Sequence, residues 1–234
     1  MHSSSSRENF DRQLQKLLDQ VLLMGSMVEQ AVQQSVDALQ HHDHMTARRI
    51  YDGDQRINEK RYALESESVT LIATQQPMAR DVRFLAAILE IITELERIGD
   101  YAKGIAKINM LLNDEMVDPA IFLDLHRMAD LGLAMLRRAL EAFMTANAEV
   151  ARAIPPDDDE VDRLYNHIYL ELVKVMISDP TTITRANYLM WAAHNLERMA
   201  DRVTNICERI VYVATGEMKE LDTTEGVRGK NGHA

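Results

Sequence analysis

Two short phrases in this 234-residue chain hold the residues best suited to chemistry. Leu95-Glu96-Arg97-Ile98-Gly99-Asp100 recurs as Leu196-Glu197-Arg198-Met199-Ala200-Asp201, 101 positions later. Each copy sets two carboxylates one helical turn apart, on the same face. A second polar pair precedes each phrase at the same spacing, Asp54 with Asn58 and Asp158 with Asp162. If the helices bearing them are neighbours, Asp54, Asn58, Glu96 and Asp100 converge in one half. Asp158, Asp162, Glu197 and Asp201 converge in the other, with Asn205 one turn beyond. All-oxygen sets of this kind suit hard cations such as Mg²⁺, Mn²⁺, Ca²⁺ or ferric iron. Zinc usually adds His or Cys, and neither occurs in these sets.

The bland alternative is a solvated helix face, where acidic i, i+4 pairs are common and Arg97 and Arg198 serve as salt-bridge neighbours. The duplication argues against it. Apolar positions differ between the copies, Ile98 against Met199 and Ala102 against Val203, whereas the outward Glu-Arg-x-x-Asp is unchanged. Cation binding or partner docking accounts for identity on a face that does not pack. For the earlier pairs the alternative is helix capping, since Gly53 precedes Asp54 and Pro155-Pro156-Asp157 precedes Asp158, and acids in a first turn are favoured by the helix dipole. Capping and ligation are evenly matched for Asp158. Ligation is favoured for Asp54, because the helical pattern begins before it.

The elements that position these residues are helices. Aromatics are only 5 % of the chain, and straight-chain residues that lose little rotamer freedom in a helix are plentiful. Five prolines punctuate the sequence, and helices are expected at roughly 9–40, 45–74, 79–113, 120–147, 157–178 and 182–215. The last carries a seam, Leu189, Ala192, Leu196, Met199, Val203, Ile206, Ile210 and Val213, with steps alternating three and four. The same register in the first half runs Ile88, Ile91, Leu95, Ile98, Ala102, Ile105, Asn109 and Leu112, apolar but for Asn109. The expected fold is therefore all-α: two tandem three-helix bundles related by a pseudo-twofold, over residues 9–115 and 116–216. Residues 1–8 and 217–234 are expected to be disordered tails.

The formal net charge of −11 argues against nucleic acid as the main partner and against adhesion to anionic lipid. No apolar run is long enough to span a bilayer. The single cysteine, Cys207, allows no internal disulfide and reads as a packed thiol, which fits a reducing, cytoplasmic setting. His41, His42 and His44 read as an exposed turn, His194 as a surface residue, and the methionines as adaptable core filler. No Gly-rich phosphate loop, GxSxG, HExxH or CxxC is present, so no enzyme class is indicated.

These residues resemble the PhoU family. Beyond the doubled phrase, the likeness extends to Met24-Gly25-Ser26-Met27-Val28-Glu29, Gly53-Asp54 with Ile57-Asn58, Gln76-Pro77 with Asp81-Val82-Arg83, and Asn205-Ile206-Cys207-Glu208, over about residues 10 to 216. The resemblance implies a cytoplasmic adaptor, not an enzyme, that represses phosphate uptake and the phosphate-starvation response. It implies contact with a phosphate ABC transporter through its ATPase subunit and with a sensor histidine kinase, self-association as a homodimer, and no insertion into the membrane. It also implies metal ions (Mg, Mn, Fe or Zn) held by Glu96, Asp100, Glu197 and Asp201, with Asp54, Asp158 and Asp162 alongside. Asn58 departs from the acidic pattern and brings no charge, so the first-half site is expected to be the weaker. Two alternatives are an accessory to a different phosphate permease and a ferritin-like di-metal protein. The latter needs Glu-x-x-His on two helices, which the chain lacks.

Overall fold

A computed structural model describes the backbone of residues 2–112 and 119–221, with side chains from Arg7 onward. Helices α1 (His2–Gln40), α2 (His44–Gln75) and α3 (Ala79–Leu111) form one bundle. Helices α4 (Pro119–Thr145), α6 (Asp158–Ser178) and α7 (Ile183–Thr215) form the other, with a five-residue helix α5 (Ala148–Arg152) between α4 and α6. No strand occurs among the described residues. The connection at 113–118 and the expected tail at 222–234 lie outside them.

The turns follow local chemistry. Asp43 accepts a hydrogen bond from the Thr46 amide and caps α2, while His42 takes a positive φ of 52° at the corner. Buried Asn109, the polar interruption in the first seam, donates to the carbonyls of Ala38 and Asp43 and ties α3 to that turn. Asn147 caps α5 by accepting from the Glu149 and Val150 amides, which ends α4 at Thr145, short of the expected 147. Gly216, at φ 81°, closes α7 with a left-handed cap.

Both seams are buried over their whole length, and one continuous apolar core runs through the two bundles. The halves are thus one hydrophobic body, as expected for units too small to bury much surface alone. Helices α3 and α7 cross at the centre. There Glu94 of α3 accepts from Asn205 of α7, and Asn195 of α7 lies against Gly104 of α3. In the 101-residue register Glu94 corresponds to Asn195 and Gly104 to Asn205, so the two contacts are pseudo-twofold equivalents. A Cβ on Gly104 would lie 3.1 Å from the Asn195 amide nitrogen, so the glycine sets how closely the helices approach.

Two boundaries differ from the sequence reading. Helix α1 begins at His2 and not near residue 9, and Arg7 pairs with buried Asp81 at the start of α3. Beyond Gly216 the chain turns back, and the Leu221 amide donates to Glu208. Residues 217–221 therefore lie against α7.

Candidate cation and docking faces

In the first bundle, α2 supplies Asp54 and Asn58 while α3 supplies Glu96, Asp100 and Lys103. Asp54 sits mid-helix, not at a cap, and is only 3 % exposed. Its Oδ2 accepts from Lys103 Nζ at 2.7 Å and from Asn58 Nδ2 at 3.0 Å. Its Oδ1 is buried with no hydrogen-bond partner. Lys103 also lies 4.0 Å from Asp100. Partial burial, then the charge of Asp100, holds the Glu96 carboxyl above its usual range, with Arg61 opposing. Burial followed by the charge of Asp54 does the same to Asp100, with Lys103 opposing. The hydrogen bond to Asp54 raises Lys103 in turn.

In the second bundle, α6 begins at Asp158 and presents Asp158 and Asp162 toward Glu197 and Asp201 of α7. Burial first, and then the charges of Asp162, Asp201 and Glu197, push Asp158 up to about 7. Glu197 also rises to about 7 through burial and the charge of Asp201, against the pull of Arg198. Oxygens Oδ1 of Asp158 and Oε2 of Glu197 are buried without hydrogen-bond partners. His194 Nδ1 is 3.3 Å from that Oε2, outside hydrogen-bond geometry. Arg198 pairs with Asp201 at 2.7 Å.

The structure thus brings together all eight of the acidic and amide residues expected to converge, four per bundle. It corrects their setting. The acids lie in the groove between the middle and third helices of each bundle, not on a free outer face. The Glu197 side chain is 21 % exposed and Asp54 nearly buried, whereas Asp100 stands open at 51 %. A seam drawn on one helix shows which face meets the core but not which flank a neighbouring helix roofs. Asn205 has a second contact beside the groove. Its amide donates to Glu94 of the other bundle, although the residue lines a cleft of about 340 Å³ beside Asp158, Asp201, Glu208 and Glu220.

Sequence reasoning missed Glu94, Lys103 and Thr204. Glu94 is buried between the bundles, where it also receives Arg97 and Arg202. Cys207 is the packed thiol expected, and burial drives it to about 12, which leaves no nucleophile there.

Hard-cation chemistry fits the second groove best, because its donors are all oxygen and two of those oxygens are buried without partners. Among the described residues no three His, Cys, Asp or Glu side chains stand close enough together to hold a metal ion as they are, so binding would have to draw the carboxylates inward. Without an ion the groove should weaken folding as it ionises. Asp158 and Glu197 hold protons more tightly folded than unfolded, where ordinary values are 3.8 and 4.5. Their contribution is complete below about pH 4 and is lost as pH rises through 7. Discounted for partial solvent screening, the loss is on the order of 1–2 kcal/mol. Chelator-treated protein should therefore show a lower urea midpoint at pH 8 than at pH 5. Asp158→Asn should flatten the difference.

No helix among the described residues is long and apolar enough to cross a membrane. The family model described as PhoU domain matches twice, at residues 21–108 and 125–210, one match per bundle. A phosphate-specific transport system accessory protein PhoU homolog of Clostridium acetobutylicum is 33 % identical over 218 residues, covering 93 % of this chain and 99 % of that protein. The crystal structure of the phosphate transport system regulatory protein PhoU from Streptococcus pneumoniae superimposes with a TM-score of 0.83 at 32 % identity, covering 90 % of this chain and 99 % of that one. The crystal structure of PhoU from Pseudomonas aeruginosa also gives 0.83 at 32 % identity, covering 89 % of this chain and all of that one (100 %).

Proposed function

Because this chain belongs to the PhoU family, we propose that it is a cytoplasmic adaptor that restrains phosphate uptake and represses the phosphate-starvation response when phosphate is ample. Its relatives are named as accessory and regulatory proteins of phosphate transport, which supports the regulatory half of this reading. The observation that carries the rest is the pair of acidic grooves at equivalent register on two rigid bundles. An adaptor needs docking surfaces held apart at a fixed distance, and a shared core supplies that rigidity. The ATPase subunit of a phosphate ABC transporter and a sensor histidine kinase are the partners we assign. A second copy of the chain is a third. Nothing in the reading requires turnover of a substrate.

A hard divalent or ferric ion belongs to this reading as a modulator of the acidic face. Asp158, Asp162, Glu197 and Asp201 would hold it. The ion would supply positive charge that braces α6 against α7. Asp158 and Glu197 otherwise each keep a buried oxygen without a hydrogen-bond partner, among carboxylates that repel one another.

The test is co-purification of the tagged full chain from its own cells, grown with and without phosphate. Recovery of the transporter's ATPase subunit or of the sensor kinase, enriched in high phosphate, is the expected outcome. Recovery of neither, with the chain abundant and folded, contradicts the proposal.

A further inference from the structure

The two acidic grooves are built alike but are not charged alike. The register that equates Glu96 with Glu197 and Asp100 with Asp201 equates Lys103 with Thr204. In the first bundle the Lys103 ammonium sits 2.7 Å from Oδ2 of nearly buried Asp54 and 4.0 Å from Asp100, with the Tyr51 ring 5.5 Å away. A positively charged nitrogen thus already occupies the acidic groove, and Asn58 fills another direction on the same oxygen. In the second bundle Thr204 carries no charge, and its Oγ1 is buried with no hydrogen-bond partner. The middle helices differ in the same sense. Arg61, which lowers Glu96, falls on Tyr165 in the same offset that equates Asp54 with Asp158 and Asn58 with Asp162. Three carboxylates in the first groove therefore face Arg61 and Lys103, with Arg97 bonded to Glu94 and acting on Glu96 more weakly than Arg61. Four carboxylates in the second face Arg198 and Arg202, neither of which bonds to Asp158, with His194 at the rim as an imidazole and not a fixed cation.

We propose that Lys103 is the resident cation of the first bundle, and that the chain takes a free hard divalent cation in the second bundle only, with the Thr204 hydroxyl joining Asp158, Asp162, Glu197 and Asp201 as an oxygen ligand. The inference rests on the cation reading above and adds its asymmetry. An ammonium bonded to Oδ2 of Asp54 neutralises the deepest carboxylate of the first groove with a charge that cannot dissociate, although Oδ1 keeps no hydrogen-bond partner. A metal ion entering there would have to displace the lysine and meet its repulsion at about 4 Å. In the second groove the equivalent position holds the Thr204 hydroxyl and no charge, in a cleft lined by Asp158, Asp201 and Glu208 with Arg202, and a hydroxyl oxygen is an acceptable ligand for Mg²⁺ or Mn²⁺.

The experiment is Mn²⁺ uptake by equilibrium dialysis of full-length protein, with thermal melts of the same samples. Wild type should take up Mn²⁺ at the second bundle, and Asp162→Asn should weaken it. Lys103→Thr should gain a second set of sites, about doubling saturating uptake if the grooves then act alike. Thr204→Lys should lose uptake by at least about 100-fold, from one like charge placed among the ligands. It should also raise the melting temperature of chelator-treated protein, as Mn²⁺ does for wild type. Because Thr204→Lys adds a favourable charge, it keeps the test valid should Lys103→Thr fail to fold. Uptake undiminished in Thr204→Lys, or unchanged capacity in a folded Lys103→Thr variant, overturns the asymmetry while leaving the cation reading intact. No uptake by wild type or by Lys103→Thr overturns the cation reading itself.

Discussion

A chain carrying Glu96→Lys and Glu197→Lys together is expected to fold, accumulate normally and fail to repress. In the second groove the substitution relieves repulsion among Asp158, Asp162 and Asp201, so stability should hold or rise. In the first, Glu96 is half-buried near Arg61, and the cost should stay within about 1 kcal/mol. The docking faces, by contrast, change sign at a carboxylate position where the halves agree. Reversing a charge at an interface weakens a complementary partner by at least about tenfold. In cells lacking their own copy, a phosphate-starvation reporter should therefore stay on in ample phosphate. Normal repression by the doubly reversed chain would mean that the grooves are not the working surfaces.

Replacing Glu94 by alanine should be the most destabilising single change outside the apolar core. Glu94 is 7 % exposed. Its Oε1 receives Arg97 at 2.9 Å, and its Oε2 receives Asn205 at 3.3 Å and Arg202 at 3.4 Å from the other bundle. Removing it leaves a largely buried guanidinium without its carboxylate, at a cost of about 3–5 kcal/mol. Glu94→Gln keeps one acceptor oxygen, and so the bonds on one side of the carboxylate only, and should cost less than the alanine. Glu94→Leu combined with Arg202→Leu should recover most of the stability, because a buried pair replaced as a unit leaves no orphaned charge. Urea unfolding reads all three. A loss below 1 kcal/mol in Glu94→Ala would show that the apolar core alone holds the bundles together.

Periodicity made the helices and seams legible, and the doubled phrase made the duplication legible. Asn109 was visible as the odd member of its seam, though not its partners, which lie at the α1–α2 turn 66 and 71 residues away. Glu94 was hidden for a related reason. One residue before a seam leucine and three before Arg97, it reads as a surface ion pair, while its decisive partners are 108 and 111 residues distant. The available signal was its register mate Asn195, a second polar residue at a central position. Lys103 and Thr204 could have been found by extending the acidic register one more turn. Helix α5 is too short to have a period of its own, and only the capping Asn147 announced it.

The acidic grooves are where we propose that this PhoU protein meets its partners. The most direct measurement is the phosphate-replete co-purification repeated with the Glu96→Lys, Glu197→Lys chain beside wild type. The account predicts that wild type brings down the transporter's ATPase subunit or the sensor kinase, and that the reversed chain, equally abundant and folded, brings down neither. Equal recovery by both chains would contradict it.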